Sequence, residues 1–317
     1  MTSVASPGQW KQEHTRALTF LTRWSPESPW SIERRSCRGE PEWLFTSFDH
    51  ALLCLRLHDL NGGPGLLRAA VQRFAERALR TERGCRWHFS PAVSDIPADA
   101  DSTSAVLTVL ARAVRQGVGV PDWMHPCRQL QQFTVLQAPC GGIRTYFGEH
   151  GNNEVEPIIN LALVELLLAL GEAPLFLSSV QIYLEEYLRA NPFTERVSEY
   201  YLGSAFLAER VARVMALAAD FFTSSARKEW VSYLLTHAPA NALEAGMMSR
   251  ACSACDLNTR QDQLNHLLLE MRNAEGIWDF VPFYIQRTPR YEYGSAWLTT
   301  ATALSAFQLA AERGTRR

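Results

Sequence analysis

Two acids stand out in the run PADADSTSAVLTVLARA, Pro97 to Ala113: Asp99 and Asp101, two positions apart and directly ahead of an apolar helical stretch. Carboxyls this close resist joint ionisation, so one proton can be held between them near neutrality and delivered as a general acid. The same residues, followed by Ser102, Thr103 and Ser104, also read as a helix N-terminus, where acids complement the helix dipole and a side chain caps free N–H groups. Which reading holds depends on what surrounds the pair.

The rest of the chain supplies a repeating pattern of elements. Six apolar segments each begin after a polar or acidic residue: near Asp49, Asp101, Glu156, Ser204, Asn241 and Ser295. Between them fall six more amphipathic stretches, Gln9 to Thr22, Gly65 to Arg80, His125 to Leu136, Pro174 to Ala190, Ser225 to His237 and Thr259 to Asn273. A helix that is apolar nearly all round must be covered on every side, whereas an amphipathic one can face water. The pattern therefore predicts an all-α (α/α)6 barrel, a toroid of alternating outer and inner helices. No alternating strand pattern of useful length competes with it, and no substantial sheet is expected. No Gly/Ser-rich or Pro-rich linker divides residues 1–317, so a single domain is expected.

Outer and inner helices are joined by aromatic, glycine-containing connectors: Glu82 to Pro91, Gln137 to Phe147 and Arg272 to Tyr284. Because every inner helix follows its connector in the same sense, all inner N-termini should gather at one end. Asp99 and Asp101 would then face a cavity rimmed by aromatics, with Trp87, Tyr146, Trp278, Phe283, Tyr284, Tyr293 and Trp297 as the expected lining. Aromatic faces stabilise cations by about 0.5–2 kcal/mol per well-placed ring without reacting with them. Arg144, Arg287 and Arg290 lie in or beside the connectors and are the expected partners of an anionic substrate head group. His88 stands close enough in sequence to hydrogen-bond Asp101. Cys252 and Cys255 have CxxC spacing but sit inside an apolar helix without a second ligand pair, so they read as small core residues and no protein-bound metal is expected.

The string DADSTS resembles the DxDD acid motif of class II terpene cyclases and, more closely, the DxDTT variant of the drimane-type cyclases. The connectors resemble the QW-type repeats of the prenyltransferase and squalene-cyclase superfamily at Gln137/Gly142/Tyr146, Glu275/Gly276/Trp278 and, more loosely, Glu82/Gly84/Trp87. This resemblance covers residues 43 to 310. It implies that Asp101, the middle aspartate, delivers the proton that starts cyclisation, with Asp99 as its partner and Ser102 in place of the third motif acid. The substrate would be a linear prenyl diphosphate or a prenylated compound, cyclised through a carbocation, with Mg2+ entering only through a substrate diphosphate. The sequence lacks the DDxxD and NSE-like segments of ionisation-type synthases. It also lacks the DxCYxFW-like zinc segment of protein prenyltransferase β-subunits.

Composition narrows the remaining classes. With 47% hydrophobic and 20% charged residues the chain can bury a large core, and a net charge of -2 offers no footprint for nucleic acid. The polar start MTSVASPGQWKQEHTR, the absence of an apolar run of membrane-span length, and seven scattered cysteines predict a cytoplasmic protein with no transmembrane segment. A single toroid leaves its cavity to be closed internally, by a homo-oligomer or by a partner domain. Two other readings compete. A carbohydrate-active toroid would also use carboxylates and aromatics, although acids two residues apart are poorly placed to flank a glycosidic bond. A non-catalytic toroid would bind an apolar ligand or a protein.

Overall fold

The computed structural model describes residues 15–23, 32–36, 42–60, 63–90, 96–148, 153–190, 193, 198, 200–287 and 290–315. Their helices alternate in position along the whole chain. The inner set is α2 (Ser47–Asp59), α4 (Ala100–Arg115), α5 (Pro157–Leu170), α7 (Ala205–Leu217), α9 (Ala242–Ala254) and α11 (Ala296–Thr315). Each packs on the next in that order, and α11 returns to α2, which closes the ring. Outside it lie the helical residues 15–21 (α1), α3 (Pro64–Arg77), a 3-10 segment (Pro126–Leu136), α6 (Leu177–Ala190), α8 (Ser224–Thr236) and α10 (Asn258–Glu270).

The sequence accounts for this division. In α5 every residue from Pro157 to Leu167 is buried, as an inner helix requires. In α3 only Leu67, Ala70, Val71 and Phe74 are buried, the i, i+3, i+4, i+7 stripe of a helix lying on a surface. Polar residues start the inner helices by capping them: Thr46 accepts from the Asp49 N–H, Asp99 from that of Ser102, and Asn241 from that of Glu244. Pro157 opens α5, and Gly171 ends it in the left-handed conformation that a side chain would disfavour. Between α9 and α11 the approach is so close that a Cβ at Gly246 would lie 3.1 Å from Thr302.

The outer segment Pro126–Leu136 is 3-10 rather than α. The Gln129 amide donates to the carbonyls of Trp123 and His125, and its Oε1 accepts from the Cys85 N–H, so this side chain is tied into the neighbouring connector.

Strands are more extensive than the sequence pattern suggested. A four-stranded antiparallel sheet runs in the order β2 (Glu42–Leu44), β1 (Ile32–Ser36), β6 (Arg290–Gly294), β5 (Pro282–Arg287). A smaller hairpin pairs β3 (Leu79–Thr81) with β4 (Gly84–Arg86). The large sheet joins the connector before α2 to the connector before α11, so it fastens the first and last repeats together. Each strand is too short for its alternation to be distinctive in the sequence, and β1 and β6 recognise each other across most of the chain length.

From the middle of α7 to the C-terminal ends of α2, α4 and α9, the inner helices enclose a largely buried ionic network. Arg56 and Arg250 bind Glu209, at 2.5 and 2.8 Å. Arg250 and Arg112 bind Asp59, at 3.3 and 2.5 Å. Glu165 holds Arg210 at 2.8 Å and also pairs with Arg213. Among the described residues no helix is long and apolar enough to cross a membrane.

Candidate active site

At the other end, where the inner helices begin, the extended segment before α4 is clamped between two connectors. The Asp99 N–H donates to the Trp87 carbonyl, the Ala100 N–H to Thr145, and the Phe147 N–H to Ala98. This fixes the start of α4 in the wall of a small cavity that opens to solvent. Asp99, Asp101 and Ser102 line it from α4, with Thr145 and Tyr146 from the connector before α5 and Ile159 from α5 itself. Tyr200 and Tyr201 come from the segment before α7, Tyr284 from β5, and Phe89 and Ile96 from the connector before α4. The shared end predicted from chain direction is realised.

The two acids are held differently. Asp99 is the helix cap: its Oδ1 accepts from the Ser102 N–H at 2.6 Å and its Oδ2 from the Ser102 hydroxyl at 2.9 Å. Burial pushes its carboxyl up to about 7, against the lowering effect of those hydrogen bonds. Asp101 sits in the first turn, buried, and its Oδ1 has no hydrogen-bond partner among the described residues. Burial raises its proton affinity well above the carboxylate range; Arg210 opposes this, and Asp99, Asp49 and Glu156 reinforce it. Burial thus favours the protonated, uncharged form of this carboxyl, and its Oδ1 is left without a protein partner among the described residues.

Above the acids the rings are ordered. Phe89, Tyr284 and Tyr200 form a stack with centroids 4.8 and 5.8 Å apart and nearly parallel planes. Tyr146 meets Tyr200 edge-on at 6.3 Å, and Tyr201 meets Tyr284 edge-on at 5.9 Å. The cavity wall thus presents π faces and phenol groups around two buried acids.

This fold matches that of a type II terpene cyclase. The chain superposes on the type II terpene cyclase MstE from Scytonema, both apo and as variants in complex with geranylgeranyl dihydroxybenzoate, described as substrate. For the first of the variant complexes the TM-score is 0.69 at 15% identity, covering 96% of this chain and 98% of that one. An unsaturated glucuronyl hydrolase specific for heparin also superposes, with TM-score 0.61, 12% identity and coverage of 96% and 97%. So does the GH76 α-mannanase BT2949 from Bacteroides thetaiotaomicron, with TM-score 0.61, 10% identity and 97% of each chain covered. No family profile and no curated protein sequence matches the chain. At these identities the likeness shows the fold, an (α/α)6 toroid that terpene cyclases and carbohydrate-active enzymes share.

Within the toroid the expected site residues divide into groups. Asp99, Asp101, Tyr146 and Tyr284 line the cavity. Phe283 and Tyr293 stand behind the lining: Tyr293 is edge-on to Phe89 and Tyr284, and Phe283 lies 6.4 Å from Phe48 and Phe206. Trp87 and Trp278 are away from it. Each indole N–H is spent on a carbonyl in the last turn of an outer helix, Phe74 in α3 and Leu268 in α10. Trp297 stacks on Phe20 and meets Trp43 at a tilt, 5.0 Å between ring centres. Arg144 is exposed, paired through its backbone with Val155 and outside the cavity lining. The side chains of Arg287 and Arg290, where β5 meets β6, lie outside the described residues. His88 turns its Nδ1 to the Ile96 carbonyl at 3.0 Å, not to Asp101. Cys252 is buried and Cys255 half-buried, and no cluster of metal-ligating residues occurs among the described residues.

Three groups outside the cavity lining act on Asp101 and had no role in the sequence reading. Asp49 is fully buried in the first turn of α2, hydrogen-bonded to the Thr46 hydroxyl, with a carboxyl pushed up to about 7 by burial. Glu156 immediately precedes α5 and Arg210 lies in α7. The available signal was positional: acids recur at the starts of several apolar helices that share one end.

Proposed function

We propose that this protein is a proton-initiated, class II terpene-cyclase-like enzyme in which Asp101 is the general acid. The observation that carries the reading is the carboxyl of Asp101, buried and with Oδ1 unpartnered, under a cage of five aromatic rings, Phe89, Tyr146, Tyr200, Tyr201 and Tyr284. In the reaction the Asp101 O–H bond breaks and the proton adds to the terminal alkene carbon of a folded prenyl chain. The alkene's π electrons form the new C–H bond, and the O–H electron pair stays on the carboxylate. Internal alkenes then attack the cation in turn until a proton is lost to an acceptor. The ring faces lower the energy of each cation by about 0.5–2 kcal/mol or more per well-placed ring.

Asp99 is locked by Ser102 and acts on Asp101 through its charge and through the helix start that it caps. Ser102, standing where a third acid occurs in the motif that the segment resembles, thereby has a definite task. The similarity to a cyclase crystallised with geranylgeranyl dihydroxybenzoate supports a prenylated aromatic acid as the first substrate to try, with farnesyl and geranylgeranyl diphosphates beside it.

The experiment is turnover of these substrates in deuterated water by the wild type and Asp101→Asn. The wild type should yield cyclic products carrying one deuterium, and Asp101→Asn should lose about 100-fold or more of kcat while still binding the prenyl ligand. Full activity in Asp101→Asn would end the proposal.

A further inference from the structure

Arg210 is the only cation among the groups that act most strongly on Asp101, and its own hydrogen bonding is incomplete. It projects from the second turn of α7 and is buried. Long helical side chains lean toward the helix N-terminus, which aims this guanidinium from mid-barrel toward the acid end. Nη1 is held by Glu165 of α5 at 2.8 Å, and the guanidinium lies 5.1 Å from the centre of the Phe206 ring. Phe206 in turn stacks on the cavity residue Tyr201 at 4.8 Å. Nε and Nη2, however, are buried without any hydrogen-bond partner among the described residues. Leaving charged N–H groups unsatisfied in a protein interior is expensive, and such exceptions usually have a use.

Resting on the reading of Asp101 as the acid, we propose that Arg210 is a positioning residue for proton transfer: the preset cation that stabilises the Asp101 carboxylate as it forms. In the ground state Asp101 is neutral and the free edge of Arg210 is idle. As the O–H bond breaks, negative charge appears on Asp101, and a fixed guanidinium in a dry site stabilises it with no reorganisation. The surrounding charges then have opposite tasks. Asp99 on α4, Asp49 on α2 and Glu156 on α5 keep the proton on Asp101 before reaction, and Arg210 on α7 helps it leave. Tyr146 and Tyr284, the phenols sharing the cavity, stay neutral because burial raises both.

The test reads the Asp101 carboxyl directly, without turnover. The infrared C=O stretch of its protonated form, isolated as the difference between wild type and Asp101→Asn, is titrated against pH, and the titration is repeated in the background of Arg210→Met. That variant should fold, because Glu165 keeps Arg213 as a partner. Removing the cation should move the Asp101 midpoint upward by about one pH unit or more, and kcat on any accepted substrate should fall about 10-fold or more with KM little changed. Arg210→Lys keeps the charge but not the planar edge, and should shift the midpoint upward by less. It carries the test should the methionine variant not fold. A midpoint that stays in place in the folded variants would overturn the proposal. An upward shift in a protein that turns over no prenyl substrate would leave the coupling intact and refute the cyclase reading instead.

Discussion

The two ends of the barrel bury the same kinds of residue and do opposite things with them. At the end where the inner helices start, Asp49, Asp99 and Asp101 are buried with Glu156 nearby, and burial dominates: it pushes the first two up to about 7 and the third well above its ordinary value. From mid-barrel toward the other end, Glu165 and Glu209 are equally buried, yet arginines overcome the same penalty and hold Glu165 at about 2 and Glu209 below its ordinary value. Depth is therefore not what separates an acid from a staple; the number of cations facing each carboxyl is. Helix dipoles favour acids at one end and arginines such as Arg56 and Arg112 at the other, but at the acid end burial outweighs the dipole.

Exchanging the readouts is the strongest way to break this contrast. Asp101→Asn should cost about 100-fold or more in turnover while moving stability by only about 1 kcal/mol, since asparagine matches the shape of a carboxyl whose burial already favours its uncharged form. Glu209→Gln should do the reverse. It leaves Arg56 as a buried charge without its carboxylate and Arg250 with Asp59 alone, which should destabilise the fold by about 3–5 kcal/mol, read as a lowered urea midpoint. If the glutamine variant melts like the wild type, the ionic end is not holding the ring together.

Acidity separates the ends next. Glu165 binds its proton near 2 when folded and near 4.5 when unfolded, so its contribution is complete above about 4.5 and is lost as pH falls toward 2. Asp49 and Asp99 bind theirs near 7 when folded and near 3.8 when unfolded. Their contribution is complete below about 3.8 and drains away as pH rises through 7, at up to about 1.4 kcal/mol per unit for each carboxyl. Stability measured by urea melts should therefore peak between these windows, near pH 4 to 5. Asp99→Asn should flatten the neutral slope and leave the acid slope alone. A slope unchanged in that variant would mean that Asp99 is ionised in the folded protein.

The fold was legible because it rests on a repeated local contrast: wholly apolar helices such as α5 alternate with striped ones such as α3, and both patterns survive in a single sequence. Asp99 and Asp101 were legible for a related reason, as acids at the start of such a helix. What could not be read was anything that depends on which repeats meet across the ring. Asp49, Glu156 and Arg210 act on Asp101 from three other helices. The β1–β6 pairing that positions Tyr284 and Tyr293 joins residues from opposite ends of the chain. Aromatic content marked the connectors correctly but not which rings face inward, since tryptophan is as useful for packing as for lining.

The smallest effect tests that last distinction. Trp87 and Trp278 occupy matching places in two repeats. In each, the indole N–H donates to a last-turn carbonyl of the preceding outer helix, Phe74 at 2.9 Å and Leu268 at 2.8 Å. In each, the backbone N–H donates to a threonine hydroxyl of the following inner helix, Thr103 at 3.2 Å and Thr300 at 3.3 Å. The tryptophan therefore ties an outer helix end to an inner helix start, and last-turn carbonyls are the ones lacking partners within their own helix. Trp278→Phe keeps most of the buried surface and removes that one N–H, so it should cost about 1–3 kcal/mol of stability and leave the product profile and kcat unchanged. Tyr284→Leu, by contrast, removes the middle ring of the Phe89–Tyr284–Tyr200 stack and should change products or turnover more than it changes the melt. Loss of turnover in a folded Trp278→Phe protein would place that ring's function in the cavity after all.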